Sequence, residues 1–266
     1  MKIHYCWFGG NPKSEEAIKC IESWKKFCPD FEIIEWNEDN YNVHKNQYIE
    51  EAYMKKKYAF VSDYARLDII YNEGGLYFDV DVELIKEIDD LIKGHAFIGC
   101  EKDYSGKKEN DILINPGLII YAEKGNPIIG EIRDSYENDH FVNQDGTQNT
   151  YTIVSRTTEI LMKRGLSKTK GIQHLENMTI YPKEYFCPKD YYTGEFSLTD
   201  NTRSIHHYKA SWKSDYENQL HERAVKLSRF FGLSISYNLC QYKDAFLETG
   251  FKGIFKLTRE KVKKRL

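Results

Sequence analysis

The chain predicts an α/β fold: a sheet with helices on its faces, followed by a basic helical extension at the carboxyl end. Three observations carry that reading. The chain opens strand, helix, strand. A long helical stretch ends on Gly74-Gly75 and gives way at once to an apolar strand. From residue 214 onward the pattern turns helical and, at the end, basic. Strand, helix, strand in that order favours parallel neighbours, because the crossover helix must pack back onto the sheet.

Residues 2–7 alternate and then break at Phe8-Gly9-Gly10-Asn11-Pro12, a buried first strand that ends in a glycine turn open to a ligand. Ser14 before Glu15 and Glu16 is a helix start, with Ile18, Ile21, Trp24 and Phe27 on one face until Pro29 stops it. Residues 31–36 form the second strand. Two helices are expected over 46–72, and Gly74 supplies the positive φ needed past the last turn. Residues 76–82 read as one strand, with further strands at 96–100 and 112–122, the latter interrupted by Asn115-Pro116-Gly117. Helices are expected over 127–138 and 150–164. The aromatic, turn-rich stretch 171–203 reads as loops around the core, and 203–208 as a last short strand. Beyond it, 216–231 is amphipathic and 251–266 holds seven Lys/Arg against one Glu. These patterns divide the chain into a catalytic domain over 1–213 and a helical extension over 214–266.

The 38 basic residues are balanced by 41 acidic ones, a net charge of −3, which argues against a nucleic-acid binder working by bulk phosphate attraction. Nowhere do about 18 consecutive apolar residues occur, and the opening lacks the apolar stretch of a signal peptide. A cytoplasmic location is therefore expected. The six cysteines include no C-x-x-C pair, so a zinc knuckle or disulfide framework is not indicated. Twenty tyrosines and four tryptophans suit a protein that stacks on planar or sugar rings, although any single ring is as well explained by packing.

The chemistry concentrates in Asp79-Val80-Asp81-Val82-Glu83, directly after Gly74-Gly75-Leu76-Tyr77-Phe78. On a strand, residues i and i+2 share a side, so Asp79 and Asp81 would present two carboxylates on one face. A hard divalent cation, Mg²⁺, Mn²⁺ or Ca²⁺, relieves their repulsion; a solvated strand end is the plain alternative. Asp63 and Arg66, three apart on the preceding helix, share a face and either pair with each other or point into the same cleft.

The runs YAFVSDYARLD at 58–68 and YNEGGLYFDVDVE at 71–83 resemble the glycosyltransferases with a DXD sugar-binding region. That family includes capsular polysaccharide transferases, initiating α-mannosyltransferases and, more distantly, the glucosyltransferase domains of large clostridial cytotoxins. Supporting matches are IHYCWFGG at 3–10, IYPKEYFCP at 180–188 and HHYKASW at 206–212. The resemblance implies a GT-A fold, a Rossmann-like mixed sheet flanked by helices, with Mn²⁺ or Mg²⁺ as cofactor. It also implies a nucleotide-sugar donor, with a UDP-sugar favoured. By the same resemblance Asp79 contacts the ribose or donor sugar and Asp81 ligates the metal. Asp63 and Arg66 bind sugar hydroxyls and phosphates, Trp7 stacks on the base beside Gly9, and Tyr77 lines the nucleotide pocket. At most one of His206 and His207 faces the site, because adjacent strand residues point to opposite sides. His207 is favoured as the further metal ligand, with Ser211 and Trp212 near the diphosphate.

The function expected is a metal-dependent retaining transfer of a hexose to a glycan or lipid-linked saccharide acceptor, in cell-surface polysaccharide synthesis. The basic tail is a candidate for peripheral contact with the inner membrane face. Two rival readings are a two-metal phosphohydrolase or nuclease, with Asp81 and Glu83 flanking an ion, and a non-catalytic sugar-binding protein.

Overall fold

A computed structural model describes residues 1–106, 112–191, 193–208 and 215–263. In chain order its elements are β1 (Lys2–Cys6), α1 (Glu15–Phe27), β2 (Glu32–Trp36), α2 (Gln47–Met54), α3 (Tyr58–Glu73), β3 (Gly75–Tyr77) and β4 (Val82–Leu84). There follow α4 (Asp89–Ile92), β5 (Phe97–Lys102), β6 (Leu113–Ile114), β7 (Ile120–Ala122), α5 (Pro127–Asp134) and α6 (Ile153–Lys163). The chain ends with β8 (Gln173–Leu175), β9 (Met178–Tyr181), α7 (Lys183–Phe186), β10 (Ser204–His206), α8 (Asp215–Phe231), α9 (Leu233–Thr249) and α10 (Phe251–Lys263).

The main sheet runs β2-β1-β3-β7-β5-β9-β8, with β6 paired to β5. Its first three strands are parallel, β7 lies antiparallel to both β3 and β5, and β5 and β9 are again parallel. The mixed sheet and its flanking helices are the α/β architecture expected. Alternation along the strands assigns two cores. Ile3, Tyr5, Leu76, Phe97 and Tyr121 pack with Cys20, Ile21 and Trp24 of α1 on one face. Cys6, Tyr77, Ile98, Ile120 and Ala122 pack with α2, α3, α5 and α6 on the other. The central strands thus bury both faces, the usual state of a sheet covered by helices.

Local chemistry sets the helix ends. Ser14 caps α1 by accepting from the Ala17 N–H, and Asn46 caps α2 through the Ile49 N–H. The buried stripe of α1 is Ala17, Cys20, Ile21 and Trp24, while Ile18, expected on that face, is exposed. Gly74 ends α3 at φ 68°.

Two expectations change in detail. Residues 76–82 are not one strand: β3 stops at Tyr77, and the chain leaves the sheet before resuming as β4. The reason is main-chain pairing, since the Phe78 and Asp79 N–H groups donate to the His4 and Gly117 carbonyls and Val82 N–H closes a turn on the Asp79 carbonyl. β4 then pairs with β10 in a separate two-stranded sheet. On its other side α1 stands in for a strand: Trp24 Nε1 donates to the Val82 carbonyl at 2.7 Å and Leu84 N–H to Ser23 Oγ at 2.9 Å. Finally, 171–203 contains the β8/β9 hairpin, turned at Asn177 with φ 66°, and the short α7 rather than loops alone.

The described residues form two compact units, 1–189 with 197–209, and 190–196 with 210–266. In the second, Leu220, Ala224 and Cys240 join α8 to α9, Arg223 grips Asp244 through two hydrogen bonds of 2.6 and 2.7 Å, and Tyr191 stacks on His221.

A buried histidine that sequence reasoning passed over ties the first unit together. His4 Nδ1 lies 3.0 Å from Trp36 Nε1 and His4 Nε2 lies 2.9 Å from the Gly74 carbonyl. An indole N–H only donates and a carbonyl only accepts, so His4 is neutral with its proton on Nε2. Burial accordingly lowers its pKa, with smaller opposing help from the Gly74 carbonyl. A depressed histidine stabilises the fold above its unfolded pKa near 6.5, and that contribution is lost as pH falls. His4→Leu strands the Trp36 N–H and the Gly74 carbonyl and should cost about 2 to 4 kcal/mol in urea unfolding at pH 7.5. The gap to wild type should narrow between pH 6.5 and 5; a constant gap rejects the neutral assignment.

Candidate donor and metal site

The site is assembled at the carboxyl end of β3 from three pieces of chain. Arg66, on α3 and 4% exposed, lies at its centre. Its Nη2 is 3.0 Å from Asp63 Oδ1 and 3.1 Å from Asp79 Oδ1, and its Nε donates to the Ser62 carbonyl at 3.1 Å. The Tyr77 hydroxyl donates to the same Asp79 oxygen at 3.0 Å, and the Arg66 guanidinium lies 5.2 Å from the Tyr77 ring centre. The structure thus brings Asp63, Arg66, Tyr77 and Asp79 into one hydrogen-bonded group.

Asp81 faces a different partner. β10 pairs with β4 in the register His206 to Val82 and Ile205 to Glu83, which sets His206 Nε2 3.2 Å from Asp81 Oδ1. One ligand atom from each of Asp79, Asp81 and His206 lies within 4.8 Å of the others. His207, favoured from sequence, points away: its Nε2 is 2.8 Å from Glu83 Oε2 and its Nδ1 4.0 Å from Glu16 Oε1. Only its backbone serves the site, donating to the Asp81 carbonyl at 2.9 Å. The sequence allowed at most one of the two histidines to face inward; the register against β4 brings in His206. The same geometry engages Glu83 with His207, on the far side from the cluster.

Trp7 and Gly9 lie just past the end of β1. The Trp7 indole donates to the Asn11 carbonyl at 2.7 Å, and Gly9 N–H to Glu38 Oε1 at 2.6 Å. Gly9 has φ +94°, and a Cβ there would come within 2.3 Å of the Tyr58 ring at the start of α3. No hydrogen bond or ion pair among the described residues joins Trp7 or Gly9 to the acidic group. Ser211 and Trp212 lie outside the described residues. Two clefts of about 300 and 510 Å³ stand away from the acidic pair, one lined by Trp36, Tyr41 and Asp68, the other by Asp139, Tyr151 and Arg156.

Crowding and burial shape the titration of the cluster. Burial pushes Asp63 up to about 6, with Arg66 pulling the other way. Asp79 is raised by burial and by the neighbouring Asp81, again against Arg66. Burial opposes charge on His206, but the Asp81 carboxylate outweighs it and lifts that imidazole well above its ordinary range. Two carboxylates and one imidazole converging on a small volume form a donor set suited to a divalent ion.

Residues 14–98 match the family described as glycosyltransferase sugar-binding region containing DXD motif. Over those residues the chain is similar to the DXD glycosyltransferases. It is 26% identical over 181 residues to "Subversion of eukaryotic traffic protein A" of Legionella pneumophila, a match covering 58% of this chain and 27% of that protein. It is 34% identical over 96 residues to "Toxin Afp18" of Yersinia ruckeri, covering 35% of this chain and 4% of that one. Both relatives are therefore much longer than the part matched. Among solved structures, the "PaToxG Glycosyltransferase" matches with a TM-score of 0.46 and 21% identity over 61% of this chain and 68% of that chain.

Asp63 gives this site a measurable signature. A carboxyl raised from 3.8 to about 6 by folding favours the native state at low pH, and that advantage is lost as pH climbs through 6. The melting temperature of Asp63→Asn relative to wild type should therefore rise between pH 4 and pH 8, by thermal denaturation of both proteins across that range. A difference independent of pH would show that Asp63 does not titrate in the window given.

Proposed function

We propose that the protein is a DXD glycosyltransferase, metal-dependent and retaining. It moves a hexose from a nucleoside diphosphate sugar, UDP-linked in the first instance, to a hydroxyl of a glycan acceptor in cell-surface polysaccharide synthesis. The observation that carries this reading is the convergence of Asp79, Asp81 and His206 beside the buried Arg66. Those three residues would hold the ion, which supplies charge neutralisation to the departing diphosphate.

The remaining chemistry belongs to the chain. Asp63 accepts hydrogen bonds from sugar hydroxyls, and Arg66, already braced by two carboxylates, offers its other N–H groups to a hydroxyl or phosphate oxygen. Trp7 provides an indole face for the base, an interaction of about 1 to 3 kcal/mol by analogy with stacking in single-strand binders. The acceptor oxygen forms its bond to the anomeric carbon as the bond to the diphosphate oxygen breaks, and the acceptor proton passes to that leaving oxygen, on the same face of the sugar. This route needs no protein nucleophile.

Phe251 and Phe255 on the basic α10 are 71% and 75% exposed, which suits contact with an anionic membrane surface carrying lipid-linked acceptors. No helix of the described residues is long and apolar enough to cross a membrane.

Asp81→Ala should abolish Mn²⁺-dependent release of UDP from a UDP-hexose while keeping a cooperative melt. His206→Ala should weaken Mn²⁺ binding by orders of magnitude and His207→Ala only slightly, measured by titration with paramagnetic detection. Full Mn²⁺-dependent turnover by Asp81→Ala rejects the metal assignment, and the reverse order of the two histidines rejects the ligand set.

A further inference from the structure

The Asn115-Pro116-Gly117 turn forms the wall of the site facing Arg66, and it touches the ion pair through backbone. Asp79 N–H donates to the Gly117 carbonyl at 3.0 Å. A Cβ on Gly117 would lie 2.1 Å from Asp79 Oδ2 and 2.9 Å from Arg66 Nη1, so no larger residue fits there without displacing the carboxylate. The turn is held from within by Asn115, 8% exposed. Its N–H donates to the Gly99 carbonyl at 3.1 Å, and its Oδ1 accepts from Gly117 N–H at 2.7 Å. Its Nδ2 donates to Glu101 Oε2, on β5, at 2.7 Å.

The two ends of the Asn115 amide are chemically distinct, and each has the partner it requires. Gly117 N–H only donates and so must face Oδ1, which turns Nδ2 to donate to the Glu101 carboxylate oxygen. Glu101 thereby fixes which way the amide lies, and the amide fixes the turn. A relay runs from Glu101 through Asn115 and Gly117 to Asp79. Without the carboxylate, a nearly buried N–H₂ group loses its acceptor and the amide loses the partner that sets its orientation.

We propose that Glu101 is a positioning residue of the transferase: acting through Asn115, it holds the 115–117 turn against Asp79 and so keeps that carboxylate in place for the metal and the diphosphate. The inference rests on the proposed function only in taking the site to bind a divalent ion and a nucleoside diphosphate. The role asks Glu101 to accept a hydrogen bond, not to react. Glutamine, whose carbonyl accepts the same N–H, should substitute for it; alanine should not.

The test uses the full chain carrying Glu101→Ala, Glu101→Gln or Asn115→Asp, the last setting two carboxylates face to face. Mn²⁺ binding in the presence of UDP is titrated by electron paramagnetic resonance, alongside Mn²⁺-dependent hydrolysis of UDP-glucose and the melting temperature. Glu101→Ala and Asn115→Asp should weaken Mn²⁺ binding by about 10- to 100-fold, the scale found when support behind a metal ligand is removed, with Glu101→Gln close to wild type. A glutamine variant as impaired as alanine, or an alanine variant that binds Mn²⁺ like wild type, overturns the proposal. The expected binding pattern in a chain that hydrolyses no sugar nucleotide upholds the relay and rejects the transferase reading instead. Failure of the wild type to bind Mn²⁺ with UDP overturns both.

Discussion

Arg66 is the constraint around which the site is organised. A guanidinium taken out of water costs several kcal/mol unless its charge and its N–H groups are matched. Asp63 and Asp79 supply the charge, and the Ser62 carbonyl takes Nε. Because Asp63 and Arg66 ride on α3 while Asp79 follows β3, satisfying the guanidinium fixes the helix against the loop that carries the acidic pair. The same burial raises the pKa of both carboxylates, storing unfavourable charge where an incoming cation or hydroxyl relieves it.

That arrangement depends on the chain leaving the main sheet after Tyr77. Had residues 76–82 continued as one strand, Asp79 and Asp81 would both have stayed in the main sheet. Instead Gly117 accepts from Asp79, while β4 is caught between α1 and β10. Two separate packing decisions therefore place the two aspartates: β3 and the 115–117 turn place Asp79, and β10 places Asp81 together with His206.

Much of the architecture was legible because it is written in local periodicity. The caps at Ser14 and Asn46, the glycine that ends α3 and the two-faced apolar pattern of the strands act within a few residues of themselves. The neighbourhood of Asp63 and Arg66 followed from helical spacing alone. Other features lacked a local signal. His4 resembles any strand residue until Trp36 and Gly74 close on both its nitrogens. The Asn115-Pro116-Gly117 break was visible, but that it abuts Asp79 depends on a contact across the sheet. Glu101 gave no sign at all, because its partner lies fourteen residues away on a different segment.

By itself the sequence determined that two carboxylates, a basic residue and at most one of two adjacent histidines would meet on a single α/β scaffold, since residue chemistry and short-range spacing are enough for that. Only the tertiary structure decided that His206 and not His207 joins them. Neighbouring strand residues face opposite ways, and the side that counts as inward is defined by the pairing of β10 with β4, an alignment between segments more than a hundred residues apart.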